Sequence, residues 1–167
     1  MNIFKIFKMG KPEHERKVTT EFLSCLYSGN PVKYELISNK EPEPDILVKL
    51  PEKEEYYELT RILDKNWFNL RIEALMSRLK LVKVDASKFG LPERDIVVAK
   101  LEKTYNTNNK DLNLLLYYDL GILNGGYPPI DIKLLCNDII SPLLEDGSIF
   151  KKVYLFDRHT QEILWIS

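Results

Sequence analysis

The chain has 167 residues, of which 44% are hydrophobic and 29% charged, and its formal net charge at pH 7 is −1. These values are ordinary for a soluble globular protein, so we expect one domain over residues 1–167 with its core at about 12–157. Seven glycines and nine prolines exclude collagen-like and low-complexity chains. The near-neutral charge does not by itself indicate a nucleic-acid partner.

Targeting and metal-binding signals are sparse in the sequence. It contains no apolar run of the roughly 18–20 residues that a membrane span requires. The start, MNIFKIFKMGK, has no uninterrupted apolar stretch longer than two residues, which argues against a signal peptide. We therefore expect a cytoplasmic protein without a membrane partner. Cys25 and Cys136 are far apart, and with only two histidines they form neither a disulfide framework nor a zinc motif.

Hydrophobic periodicity and turn residues predict interleaved helices and strands. The predicted helices cover about 12–28, 67–82, 92–106 and 130–140, the last ended by Ser141-Pro142. The predicted strands cover 33–38, 45–50, 56–63, 113–118, 150–157 and 162–167. Strand 113–118 is apolar throughout most of its length, which is typical of a strand buried on both faces. This order favours the α/β class, with a mixed central β-sheet flanked by helices and strand 113–118 at its centre.

Two acidic residues lie on neighbouring strands of the predicted sheet. Asp45 opens the second strand after Pro44, and Glu58 lies in the third. The turn between these strands is too short for a crossover, so the strands are antiparallel. With a turn near residues 52–53, Asp45 faces about residue 60, and Glu58 is its diagonal neighbour, roughly 7 Å away between Cα atoms. We expect the two carboxylates about 4–6 Å apart, sharing Mg²⁺ or Mn²⁺, because hard oxygen ligands suit these ions.

The Pro44-Asp45 and Glu58-Leu59-Thr60 pattern, after a helix and a three-strand meander, resembles the PD-(D/E)XK nuclease superfamily, which has the restriction-endonuclease-like fold. The helical segment 99–105 and the strand segment 114–118 match the later part of that fold. The resemblance covers about residues 13–120 as architecture and about five residues as a motif. It implies an αβββαβ core and a Mg²⁺-dependent hydrolase that cleaves phosphodiester bonds of nucleic acid.

The resemblance also implies which residues form the catalytic site. The third motif residue of the family is normally lysine, which positions the attacking water, but here it is Thr60. Threonine can hydrogen-bond a water but carries no charge. Arg61 is adjacent but should lie on the opposite face of the strand. Family members sometimes recruit the lysine from the following helix, and the candidates here are Lys100 and Lys103, which share a helical face with Ile96 and Ala99.

A third metal-site carboxylate is implied in the first helix. Glu15 has the helical phase of the apolar residues Val18 and Phe22, so it should point towards the sheet, whereas Glu21 is rotated away. The implied metal ligands are thus Glu15, Asp45 and Glu58. The implied catalytic residues are Asp45, Glu58, Thr60, Lys100 and Lys103.

The local charge distribution fits a nuclease. Residues 40–58 contain seven acidic and three basic side chains, whereas residues 71–110 contain nine basic and five acidic ones. Metal would bind the acidic part and phosphate the basic part, although an uneven surface charge alone gives the same pattern. Two alternatives stay open: a catalytically inactive nuclease-like scaffold that binds nucleic acid or protein, favoured by Thr60, and an unrelated α/β interaction protein. The resemblance is also compatible with a homodimer.

Overall fold

The computed structural model describes residues 10–40, 42–62, 92–105, 111–118, 135–145 and 148–167. The helices in these segments are α1 (Lys11–Leu26), α2 (Pro92–Leu101) and α3 (Ser141–Glu145), and a π-helical turn, Leu135–Ile140, runs directly into α3. The strands are β1 (Glu35–Ser38), β2 (Ile46–Lys49), β3 (Glu54–Arg61), β4 (Leu112–Tyr118), β5 (Lys152–Asp157) and β6 (Glu162–Ile166). None of these helices is both long and apolar enough to cross a membrane.

The strands of the described segments form one open sheet of six strands in the order β1-β2-β3-β4-β5-β6. The first three are an antiparallel meander, β4 is parallel to both β3 and β5, and β6 is antiparallel to β5. All seven residues of β4 are buried. The predicted mixed sheet of the α/β class, with the apolar strand at its centre, is therefore confirmed.

Helices cover both faces of the sheet. Side chains alternate between the two faces of a strand, so Leu115 and Tyr117 of β4 pack under α1, and Leu114 and Leu116 pack on the opposite face. The buried residues that α1 contributes are Val18, Phe22 and Leu23. The opposite face is covered by Val97 of α2 and by Cys136 and Ile140 of the π-helical turn. Each face of the sheet thus has its own hydrophobic cluster.

Phe22 is the central aromatic residue of the cluster under α1. It is fully buried, and its ring packs edge-on against those of Tyr57, Tyr154 and Phe156 at centroid distances of 5.9, 4.9 and 5.8 Å. We expect Phe22→Ala to lower the free energy of unfolding by about 3–5 kcal/mol, because it removes a buried ring and leaves a cavity. Urea denaturation measures the change. Ile149→Ala, at a side chain that is 44% exposed, is the control and should change it by less than about 0.5 kcal/mol.

Two predicted boundaries differ from the structure. The helix predicted over 92–106 ends at Leu101, where a bond from the Lys103 N–H to the Lys100 carbonyl oxygen (3.4 Å) closes a tighter final turn. The chain then leaves the helix and packs the Tyr105 ring against Phe150. The strand predicted over 56–63 is β3, which begins and ends two residues earlier.

The helix predicted to stop at Ser141-Pro142 does not stop there. The π-helical turn passes into α3, which begins at Ser141. Pro142 therefore lies in the first turn of α3, directly after the π-helical turn, where the regular α-helical pattern is interrupted and a proline is more easily accommodated than inside an uninterrupted α-helix. The predicted helix over 67–82 and residues 130–134 lie outside the described residues.

Candidate functional site

The hairpin of β2 and β3 places Asp45 and Glu58 across from each other on neighbouring strands. Its strands pair Ile46 with Tyr57, so the same register, continued by one residue, puts Asp45 across from Glu58. The Asp45 Oδ2 accepts a hydrogen bond of 2.9 Å from the N–H of Leu59. The backbone of β3 thereby holds this carboxylate at the start of β2.

The predicted diagonal arrangement, in which Asp45 faces about residue 60, is wrong. The turn spans residues 50–53, so its centre lies earlier in the chain than predicted. The N–H of Leu50 donates a hydrogen bond of 2.9 Å to the carbonyl oxygen of Lys53. Pro51 then occupies the second position of a tight four-residue turn, which suits its restricted φ. Asp45 therefore lies across from Glu58 instead of across from residue 60.

Glu58 is a buried acid held by two lysines. Only 1% of the residue is exposed. Its Oε1 accepts hydrogen bonds from Lys100 Nζ at 2.6 Å and from Lys103 Nζ at 3.1 Å. Burying a carboxylate is costly unless cations and hydrogen bonds compensate it, and the lysines at the end of α2 provide this compensation. The prediction that both lysines reach back to the sheet is confirmed as geometry.

Thr60 lies on the same face of β3 as Glu58. The two residues pair with Leu116 and Leu114 of β4, and both leucines belong to the cluster on the side of α2. Thr60 Oγ1 is buried and has no hydrogen-bond partner among the described residues. Arg61, one position further, is exposed at the end of the strand. Within the described segments, Thr60 thus offers an unpaired hydroxyl on the Glu58 side of the sheet.

The first helix adds a second acid beside Asp45. Glu15 is 8% exposed, so the prediction that it points inward is confirmed. Lys11 Nζ lies 3.4 Å from Glu15 Oε1 and 3.3 Å from Asp45 Oδ1. Burial and the negative charge of Asp45 raise the pKa of Glu15 to about 7. Glu21 instead accepts a hydrogen bond of 2.7 Å from Arg158 Nε.

The raised pKa of Glu15 predicts a pH-dependent stability. Between pH 4.5 and about 7 the folded chain holds a proton on Glu15 that the unfolded chain has released. The contribution of this proton to the free energy of unfolding is therefore fully present below pH 4.5 and is lost as the pH rises through about 7. One unit of pKa is worth about 1.4 kcal/mol. In EDTA, we expect wild type to lose on the order of 1–3 kcal/mol of unfolding free energy from pH 5 to pH 8 relative to Glu15→Gln.

The control for this measurement is Glu13→Gln, at an exposed position of the same helix. Urea denaturation at a series of pH values gives the free energies for all three chains. A Glu13→Gln profile like that of wild type and a flatter Glu15→Gln profile are the expected results. Parallel profiles of wild type and Glu15→Gln would contradict the proton assigned to Glu15.

The donor chemistry of the site fits a hard divalent cation. Among the residues that the structure describes, Asp45 Oδ1 is paired with the ammonium of Lys11, whose side chain is 69% exposed and whose ion pair is therefore weak. Glu58 Oε2 is buried and has no hydrogen-bond partner in the described segments. Two such carboxylate oxygens are ligands that Mg²⁺ and Mn²⁺ accept. The described residues contain no ready-made cluster of three metal-ligating side chains, so metal binding stays a prediction.

Two further side chains of the site were not predicted from the sequence. Lys11 bridges Glu15 and Asp45, and its only sequence signal is the spacing of four residues from Glu15 on a helix. Tyr105 lies beyond the end of α2 with its ring centroid 5.0 Å from Lys103 Nζ. No residue pattern marked this tyrosine, because its place depends on where the helix ends.

Comparison of the chain with protein-family models, with curated proteins and with solved structures finds no match.

Proposed function

We propose that the chain is a divergent member of the PD-(D/E)XK nuclease superfamily that hydrolyses phosphodiester bonds of nucleic acid with Mg²⁺ or Mn²⁺. The order of the described elements supports a restriction-endonuclease-like αβββαβ core. Helix α1 precedes the antiparallel meander β1-β2-β3, and α2 precedes β4, which is parallel to β3. Asp45 directly precedes β2 and Glu58 lies in β3, which agrees with the places of the two motif acids that the resemblance implies.

The observation that carries the proposal is the contact between Lys100 and Glu58. Thr60 cannot supply the positive charge of the usual motif lysine. Lys100 Nζ, coming from α2, lies 2.6 Å from Glu58 Oε1 and therefore brings an ammonium group to the acid of the motif. A preorganised cation at this point would stabilise the negative charge that develops on a scissile phosphate. The nearby cation favours an active enzyme over an inactive scaffold.

Each residue has a role that follows from its contacts. Asp45 and Glu58 would hold the divalent ion, and Glu15, which shares Lys11 with Asp45, would assist. When bound, such an ion supplies Lewis-acid activation of the phosphate and of a water. The N–H of Leu59 keeps Asp45 in place.

Lys100 and Lys103 can have different roles in the proposed reaction. Lys100 and Lys103 share one oxygen of Glu58, so one ammonium can turn to the scissile phosphate while the other continues to hold the carboxylate. The Thr60 hydroxyl, on the same face of β3, is available to hydrogen-bond the attacking water.

A second candidate is a catalytically inactive nuclease-like module that binds nucleic acid or protein. It is favoured by Thr60, which carries no charge at the position where the superfamily motif normally has lysine. This candidate predicts that Mg²⁺ and Mn²⁺ do not bind at millimolar concentration. Titration calorimetry of the whole chain with each ion therefore separates the two functions.

The test of the nuclease is cleavage of plasmid DNA and of a folded RNA by the whole chain. We expect cleavage of at least one polymer with Mg²⁺ or Mn²⁺ and none with EDTA, and the two substrates distinguish DNA from RNA. Glu58→Ala, purified in the same way, serves as the negative control against a contaminating nuclease. If neither polymer is cut while nucleic acid is still bound, the binding module replaces the enzyme.

A further inference from the structure

Tyr105 lies at the edge of the proposed site, where its ring makes two contacts. Its ring packs edge-on against Phe150 at a centroid distance of 5.9 Å, and the Nζ of Lys103 lies 5.0 Å from the ring centroid. The first contact anchors the ring in the cluster on the α2 side of the sheet. The second is a cation–π contact with one of the two lysines that hold Glu58.

Three buried polar atoms near this point lack hydrogen bonds. They are the Tyr105 hydroxyl, Glu58 Oε2 and Thr60 Oγ1, none of which has a partner among the described residues. Leaving a buried polar group without a hydrogen bond is unfavourable. An unpaired donor beside an unpaired acceptor in a buried region indicates groups arranged for a ligand or for a state other than the resting one.

The Tyr105 hydroxyl and the Glu58 carboxylate are neighbours. Burial first, and then the negative charge of Glu58, raise the pKa of Tyr105, and the charge of Asp45 adds a smaller effect. A tyrosine hydroxyl is a hydrogen-bond donor at neutral pH. Among the described residues, the hydroxyl does not form a complete hydrogen bond with Glu58. Both lysines donate hydrogen bonds to the other carboxylate oxygen, Oε1.

We propose that Tyr105 is a positioning residue whose hydroxyl donates a hydrogen bond to Glu58 Oε2 and turns that oxygen towards the bound divalent cation. This inference rests on the proposed function, because it assigns Glu58 to the metal. A carboxylate oxygen has two lone pairs, so Oε2 can accept from the hydroxyl and bind the cation at once. Outer partners of this kind typically change metal affinity by about 10–100-fold.

Tyr105→Phe tests the contribution of the hydroxyl independently of the contribution of the ring. Phenylalanine keeps the contacts with Phe150 and Lys103 and removes only the oxygen. We expect Tyr105→Phe to bind Mn²⁺ about tenfold more weakly by titration calorimetry of the whole chain. Its thermal unfolding midpoint should not fall, because the hydroxyl has no partner to lose. If the chain cleaves nucleic acid, the loss should appear in the metal concentration needed for half-maximal rate.

Tyr56→Phe is the matched control. Tyr56 lies on β3 two residues before Glu58 and packs against the same cluster, and we expect its variant to bind Mn²⁺ as wild type does. Equal affinities of wild type and Tyr105→Phe, or no Mn²⁺ binding by wild type, would overturn the inference. Intact Mn²⁺ binding without any cleavage would instead overturn the proposed nuclease activity. The Mn²⁺ affinities of wild type and Tyr105→Phe would then still decide whether Tyr105 positions Glu58.

Discussion

Glu58→Ala is expected to lower the metal-dependent cleavage rate by roughly three orders of magnitude or more, to the background of the assay. The substitution removes a ligand of the proposed ion and also the anchor of Lys100 and Lys103, which both bond its Oε1. Residues that act as one unit lose most of their combined effect when any one is removed. The rate is measured as nicking of supercoiled plasmid, or as cleavage of labelled RNA if RNA is the substrate.

The fold of Glu58→Ala should persist, because the two lysine side chains are 22% and 32% exposed and can turn to water. Circular dichroism and thermal unfolding check this. Glu54→Ala is the matched control, since Glu54 lies on the same strand with a side chain that is 50% exposed. A Glu58→Ala chain that cleaves at the rate of wild type would remove Glu58 from the metal site.

Lys100→Ala is expected to lower the cleavage rate by roughly two orders of magnitude, the typical effect of removing one group that stabilises the transition state. Lys103→Ala should have the smaller effect. Lys100 Nζ lies 2.6 Å from Glu58 Oε1, compared with 3.1 Å for Lys103 Nζ, and its side chain is the less exposed of the two. Because its contact is the shorter and more buried of the two, we expect Lys100 rather than Lys103 to take the role that the motif lysine has in the nuclease superfamily.

Single-turnover rates at saturating metal are the suitable measurement, because they separate the chemical step from metal binding and product release. Lys49→Ala is the control: Lys49 is an exposed lysine of β2 whose partner is Glu54. We expect its rate to equal that of wild type. If Lys100→Ala and Lys103→Ala both cleave like wild type, no lysine of α2 replaces the motif residue.

Elements with a strong local pattern were predicted well. Helix α1 combines an early proline with apolar residues at helical spacing, and the structure places it within two residues of the prediction at each end. The apolar run that became β4 was predicted as the central strand, and it is parallel to both neighbours and buried throughout. Local propensity and hydrophobic period agree in both segments, so tertiary contacts did not override them.

Contacts across the chain were predicted less completely. The shared helical face of Lys100 and Lys103 indicated that they could reach the sheet, but not that both would bond one oxygen of Glu58. The register of β2 and β3 depends on a tight turn at Pro51, and a shift of the turn centre by one residue moves the residue that faces Asp45 by two. The bridging position of Lys11 also depends on how α1 lies relative to that hairpin.

The sequence by itself determined the α/β class, the central strand and the inward direction of Glu15, because these follow from the period and order of residues along one segment. Only the tertiary structure decided which lysines neutralise each acid, which oxygens are left unpaired and that Tyr105 stands beside Glu58. Those features are set by where α2 ends and by how elements far apart in sequence pack against one sheet, and local periodicity carries no information on either.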